Sequence, residues 1–125
     1  ANWLEEHPLV DQVIWAGLPS SPWYERAQKY LPKGPGAVVG FTLKDADLEQ
    51  TRTFVDALQL HSNVANIGDV RSLVIHPAST THSQLSEEEL EAIGVSKNFV
   101  RLSVGIENID DIIADLELGF ATLNA

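Results

Sequence analysis

The chain has 125 residues, and its 18 acidic against 8 basic residues give a formal net charge of -10 at pH 7. Proteins that bind nucleic acids or anionic membrane surfaces normally have the opposite balance, because they must neutralise phosphates, so we expect neither partner. Hydrophobic residues make up 44% of the chain and cysteine is absent, which indicates a folded domain without disulfides or thiolate metal sites. No apolar run approaches the ~20 residues that span a bilayer. No signal peptide is visible either, so we predict a cytoplasmic protein.

No repeat, low-complexity tract or linker divides the sequence, and we treat residues 1–125 as one domain. The first residue is Ala1 rather than methionine, and residues 1–6 resemble the end of a helix. Together these features predict that the chain is a piece of a longer protein.

Short strands and helices alternate in the first half of the chain. Three elements are expected before residue 45: a strand at 10–15, a helix at 22–30 and a strand at 37–43. Ser21 would cap the helix at 22–30, and Pro22 would occupy the first position of that helix. Asp47 and Gln50 have the spacing of a capping box at the start of the next helix. The polar stretch 61–71 is expected to contain a short strand at most.

The second half has the same alternation. Its expected elements are a strand at 73–75, a helix after Ser86, a strand at 100–104 and a helix at 109–123. Ser86 and Glu89 form a capping box, and Asn108 is placed to cap the last helix. One apolar stripe at helical spacing follows that helix: Ile109, Ile112, Ile113, Leu116, Phe120 and Leu123.

This order of elements favours an α/β fold, with a small open sheet and helices packed on one of its faces. Side chains alternate between the two faces of a strand. Val100, Leu102 and Val104 would therefore face the helices, while Arg101 and Ser103 would lie on the uncovered face. We expect a ligand or a partner domain on that face.

Arg101 is the first candidate functional residue. A guanidinium held on a strand is preorganised for bidentate binding of a carboxylate or a phosphate. The alternative is a salt bridge at the surface or at an interface, which is common in so acidic a chain. Ser72 and Ser103 are candidates for hydrogen bonding near Arg101.

His76 and His82 are candidate metal ligands that we reject. Their separation of six residues across a loop does not match the helical spacing of a zinc site, and no third ligand follows. We predict instead that both are loop histidines bonded to backbone carbonyl groups. The chain contains no metal motif and no complete catalytic set.

Three motifs in a fixed order resemble the C-terminal domain of the Cys/Met-metabolism pyridoxal-phosphate (PLP) enzymes. They are SLVIHPASTTHS at 72–83, VRLSVGIE at 100–107 and DDIIADL at 110–116. Within this family, the segment ANIGD at 65–69 is similar to the version found in O-acetylhomoserine sulfhydrylases.

The resemblance implies the C-terminal domain of a fold-type I PLP-dependent transferase, with a mostly antiparallel sheet. Residues 1–125 would form this small domain, and the large domain, with PLP and its Schiff-base lysine, would lie outside the chain. Arg101 would bind the α-carboxylate of the substrate and Ser72 would assist. The chain itself would then contain no catalytic or cofactor-binding residue and would be inactive alone.

The resemblance also implies the reaction of the intact enzyme. A homotetramer would convert O-acetylhomoserine and sulfide to homocysteine and acetate in methionine biosynthesis. A sister enzyme, such as cystathionine γ-synthase or methionine γ-lyase, is an alternative. A second alternative is a non-catalytic module that binds an amino acid through Arg101 or forms oligomers.

Overall fold

A computed structural model describes residues 1–80 and 82–124. In chain order its elements are α1 (Asn2–Glu6), β1 (Val10–Ile14), α2 (Tyr24–Tyr30), β2 (Val38–Leu43), α3 (Leu48–Asp56), β3 (Ser62–Asn63), β4 (Leu73–Ile75), a 3₁₀ turn (Pro77–Ser79), α4 (Glu87–Ala92), β5 (Phe99–Ser103) and α5 (Ile109–Leu123). None of the helices in this part of the chain has the length and apolar character needed to cross a membrane.

The strands form one open sheet in the order β1-β2-β5-β4-β3. The pairs β1–β2, β2–β5 and β5–β4 are antiparallel, and only β3 runs parallel to its neighbour β4. The expected α/β fold with a small, mostly antiparallel sheet is therefore confirmed.

The hydrophobic core lies between one face of the sheet and the helices α1, α3 and α5. Phe41 of β2, Phe54 of α3 and Phe120 of α5 are almost completely buried, and the rings of Phe54 and Phe120 pack edge to face with centroids 4.9 Å apart. Burial of one large apolar side chain stabilises a fold by roughly 1.5–3 kcal/mol. These aromatic contacts therefore hold the two longest helices against the centre of the sheet.

The predicted helix caps are present. The Asp47 carboxylate accepts a hydrogen bond from the Gln50 N–H at 2.8 Å, and Ser86 with Glu89 completes a second capping box. The helix predicted at 22–30 corresponds to α2, which begins later than expected, at Tyr24. The Ser21 hydroxyl accepts from the Trp23 N–H, and this local bond forms a turn before the helix.

The predicted apolar stripe of α5 is wrong at one end. Ile109 is 60% exposed, whereas Asp115, which the stripe omits, is only 5% exposed on the buried side of the helix. A carboxylate is tolerated there because it accepts several hydrogen bonds from the loop after α3.

We expect Gly119→Ala to destabilise the fold, although alanine favours helix more than glycine does. A Cβ at position 119 would lie 2.7 Å from the Phe54 ring, which is fully buried and packed against Phe41 and Phe120. Overpacking of this kind costs roughly 1–3 kcal/mol, and urea unfolding of the protein would measure it. Phe54→Leu should relieve most of the cost of Gly119→Ala; an equal cost in both backgrounds would contradict this account.

Candidate functional site

Arg101 lies at the centre of the sheet face that the core helices leave uncovered. On β5 it is exposed, while its neighbours Val100 and Leu102 are buried in the core, as the alternation predicts. Its partners on the adjacent strands are Gly40 of β2 and Ile75 of β4. Neither Gly40 nor Ile75 has a polar side chain, so neither can form a hydrogen bond with the Arg101 guanidinium through its side chain.

The Arg101 guanidinium has no acidic partner in the described part of the chain. No carboxylate of residues 1–80 and 82–124 lies within 4 Å of it, although acidic residues outnumber basic ones by 18 to 8. Arg71, by contrast, bonds to Asp69 at 2.9 Å and holds the pKa of that carboxyl far below its usual range. Arg101 is therefore available for an external anion, and the salt-bridge alternative finds no partner within these residues.

A narrow cleft, which we call the Arg101 cleft, lies beside this residue. It is lined by residues 64–66 and 73–75 together with Arg101 and Ser103. The cleft itself holds only about 10 Å³, but it shares Asn66, Leu73 and Ser103 with a neighbouring groove of about 320 Å³. A carboxylate at Arg101 would therefore have space beside it for the rest of a small molecule.

Ser72 does not line the Arg101 cleft. Its side chain is completely buried, and its hydroxyl donates to Glu107 Oε2 at 2.6 Å and accepts from the Gly105 N–H at 2.9 Å. The Ser72 N–H donates to Glu107 Oε1 at 2.6 Å. These bonds from Ser72 lower the pKa of Glu107. The direct role of Ser72 toward a substrate stays a prediction, and its observed contacts tie β4 to the loop after β5.

Asn66 is the residue that the sequence analysis missed. It lines both the Arg101 cleft and the adjoining groove. The sequence marks the segment 65–69 only as a subgroup motif, because nothing in its spacing indicates that this loop returns over β4 and β5. The subgroup motif at 65–69 contains one asparagine with a hydrogen-bonding side chain, and this is the sequence signal that could have identified Asn66.

His76 is a buried structural histidine. Its Nε2 lies 2.7 Å from the Lys97 carbonyl oxygen, and the Ser79 hydroxyl lies 2.9 Å from its Nδ1. Burial lowers the pKa of the His76 ring. The prediction of a bond to a backbone carbonyl is thus confirmed for His76, while His82 reaches the Pro77 carbonyl through its backbone N–H at 2.9 Å. Residues 1–80 and 82–124 contain no group of three or more side chains placed to hold a metal ion.

The Arg101 cleft does not fit pyridoxal phosphate. That cofactor requires a lysine for its Schiff base and further groups around its ring. Among the described residues that line the cleft and the groove, Arg101 is the single cation, and none is a lysine. The residues present fit the carboxylate of a small substrate, so we assign no cofactor contact to them.

Comparisons with known proteins agree with these observations. O-Acetyl-L-homoserine sulfhydrylase from Corynebacterium glutamicum is 55% identical over 123 residues, which are 98% of this chain and 28% of that relative. The crystal structure of an O-acetylhomoserine (thiol)-lyase from Campylobacter jejuni matches 97% of this chain and 28% of its own, with 44% identity and a TM-score of 0.85. Cystathionine gamma synthase from Xanthomonas oryzae matches with the same TM-score of 0.85 at 36% identity, over 99% of this chain and 32% of its own.

The chain therefore spans less than a third of the length of these relatives. A family model described as Cys/Met metabolism PLP-dependent enzyme matches residues 1–121, which is almost the whole chain. The expected resemblance is confirmed: this chain belongs to the family of PLP-dependent enzymes of cysteine and methionine metabolism.

Proposed function

We propose that this chain is the small C-terminal domain of an O-acetyl-L-homoserine sulfhydrylase. The complete enzyme would convert O-acetylhomoserine and sulfide to homocysteine and acetate. The observation that carries the proposal is the exposed Arg101 guanidinium, free of acidic partners within residues 1–80 and 82–124, on the open face of the sheet. Its strand position suits bidentate capture of the α-carboxylate of an amino acid.

The contribution of this domain is to orient the substrate. Arg101 would hold the α-carboxylate, and the side-chain NH₂ of Asn66, which also lines the Arg101 cleft, would supply a further hydrogen bond. Fixing the carboxylate limits rotation about Cα and places its bonds for reaction, which lowers the entropic part of the barrier. Pyridoxal phosphate, when bound by the rest of the enzyme, supplies the electron withdrawal.

Sequence identity favours a sulfhydrylase over its sister enzymes. The fold does not distinguish them, since the sulfhydrylase and synthase structures match with the same TM-score of 0.85. Among the matched structures, identity is 44% to the O-acetylhomoserine (thiol)-lyase but 36% to the cystathionine gamma synthase. The proposal includes the homotetrameric assembly that the family resemblance implies and the cytoplasmic location predicted from the sequence.

The test uses the longest natural product of the gene, here called the full-length enzyme, loaded with pyridoxal phosphate. It is incubated with O-acetylhomoserine and sulfide, and homocysteine is quantified; the 125-residue chain is assayed in parallel. We expect homocysteine from the full-length enzyme only. Cystathionine formed from added cysteine, or 2-oxobutyrate formed without a thiol, in place of homocysteine would instead identify a sister enzyme.

A non-catalytic amino-acid-binding module is the second candidate function. Arg101, which has no acidic partner among the described residues, also suits this role, because capture of a carboxylate requires no cofactor. An inert gene product that binds an amino acid through Arg101 would favour the module and contradict the sulfhydrylase proposal.

A further inference from the structure

The loop at residues 64–71, which we call the cleft loop, forms one wall of the Arg101 cleft through residues 64–66. It leaves β3 and returns to β4, and these two strands are parallel neighbours. The described residues between β3 and β4 form no helix. The position of the cleft loop beside Arg101 therefore depends on the contacts that hold its two ends.

The first end is held by Asp115 of α5. The carboxylate accepts hydrogen bonds from the backbone N–H groups of Gln59, Leu60 and His61 at 2.7, 2.9 and 3.0 Å. Its Oδ2 also lies 2.6 Å from Nδ1 of the buried His61 ring. Four contacts to one buried carboxylate therefore fix the backbone immediately before β3.

The second end is held by Glu107, which precedes α5. One carboxylate oxygen accepts from the Ser72 N–H and the other from the Ser72 hydroxyl, both at 2.6 Å. The Gly105 N–H donates to the same hydroxyl at 2.9 Å, and a Cβ on Gly105 would collide with the Val70 carbonyl oxygen. The loop after β5 therefore packs directly against the end of the cleft loop.

We propose that Glu107 and Asp115 are positioning residues that hold the cleft loop over Arg101 and thereby set the affinity for the substrate carboxylate. The inference rests on the proposed function of the Arg101 cleft. Asp115 lies on α5 and Glu107 in the loop just before it, so one short segment of the chain, residues 107–115, holds the two ends of the cleft loop. A binding site needs its groups held within about 0.5 Å of the productive geometry, and contacts at both ends of the loop restrict its movement.

Glu107 is the sharper test, because Asp115 also supports the fold. In the full-length enzyme we expect Glu107→Ala to raise KM for O-acetylhomoserine by about tenfold, since a shift of about 1 Å in a positioning group has effects of up to 10²-fold. We expect kcat and the KM for sulfide to change less than about twofold, because sulfide has no carboxylate for the loop to position. Glu107→Gln keeps the shape and an acceptor for the Ser72 N–H, so it should restore most of the affinity.

The matched control is Glu88→Ala, which removes an exposed carboxylate from the first turn of α4. It should leave both KM values unchanged. Should Glu107→Ala fail to fold, Glu107→Asp retains the charge but withdraws the carboxylate by one methylene, and it should raise the same KM.

A double-mutant cycle with Asn66→Ala separates positioning from general damage. If Glu107 acts through the cleft loop, its effect on KM shrinks once Asn66 is gone; an effect of the same size in both backgrounds would contradict the proposal. An unchanged KM in Glu107→Ala, with a raised KM in Arg101→Ala, would overturn the positioning role alone. An unchanged KM in Arg101→Ala would overturn the carboxylate-binding role of Arg101 and the positioning role with it, whereas the absence of homocysteine from the wild-type enzyme would overturn the proposed function.

Discussion

Replacing Arg101 with alanine in the full-length enzyme is expected to lower kcat/KM for O-acetylhomoserine by about 30- to 1000-fold, which corresponds to ~2–4 kcal/mol. The bound carboxylate would lose a bidentate, charge-assisted contact. Most of the loss should appear in KM for the amino acid, because in the proposed role the guanidinium would hold the substrate and take no part in proton transfer. Steady-state kinetics with varied O-acetylhomoserine at saturating sulfide would measure it.

Arg101→Lys should recover little of this loss. An ammonium retains the charge but cannot reproduce the planar fork of the guanidinium. Arg52→Ala is the matched control, since Arg52 is exposed on α3 and forms only a surface pair with Asp56, at 3.9 Å. Such pairs contribute about 0–1 kcal/mol to stability, and its loss should leave kcat/KM unchanged. Wild-type kcat/KM in Arg101→Ala would show that the carboxylate is bound elsewhere.

The sheet face of Arg101 could be predicted because strand alternation is a local property. Val100 and Leu102 are apolar and Arg101 is not, so burial of the former requires exposure of the latter on the other face. The capping boxes at Asp47 and Ser86 were equally predictable, since each depends on residues only three positions apart.

The wall of the Arg101 cleft could not be predicted in this way. Asn66 lies near Arg101 because the chain leaves β3 and returns to β4, an arrangement that depends on Asp115 and Glu107 many residues away. Periodicity alone also treats Asp115 as an interruption of the apolar face of α5. The buried carboxylate is explained only by the backbone N–H groups that it meets in the folded protein.

Replacing Asp115 with alanine is expected to have the largest effect on stability in the chain. Three backbone N–H groups and the buried His61 ring would lose their acceptor, and removal of one partner from a buried charged contact costs about 3–5 kcal/mol. Hydrogen exchange at the amides of residues 59–61 in the full-length enzyme would measure the lower free energy of local opening. Asp111→Ala, at an exposed acid in the first turn of the same helix, is the control and should change that opening little.

The stabilisation from Asp115 should also depend on pH. Burial raises the pKa of this carboxyl, but the bonds from the His61 ring and three backbone N–H groups outweigh it and lower the pKa below its ordinary value of 3.8. The unfolded chain therefore takes up the proton at a higher pH than the folded chain does, so the stabilisation is complete above about pH 5 and is lost as the pH falls through the lowered pKa. Asp115→Asn removes the titrating group but keeps one acceptor oxygen. It should be less stable than the wild type at pH 7 and lose less further stability on acidification; an equal acid loss in both proteins would assign the pH dependence to other carboxylates.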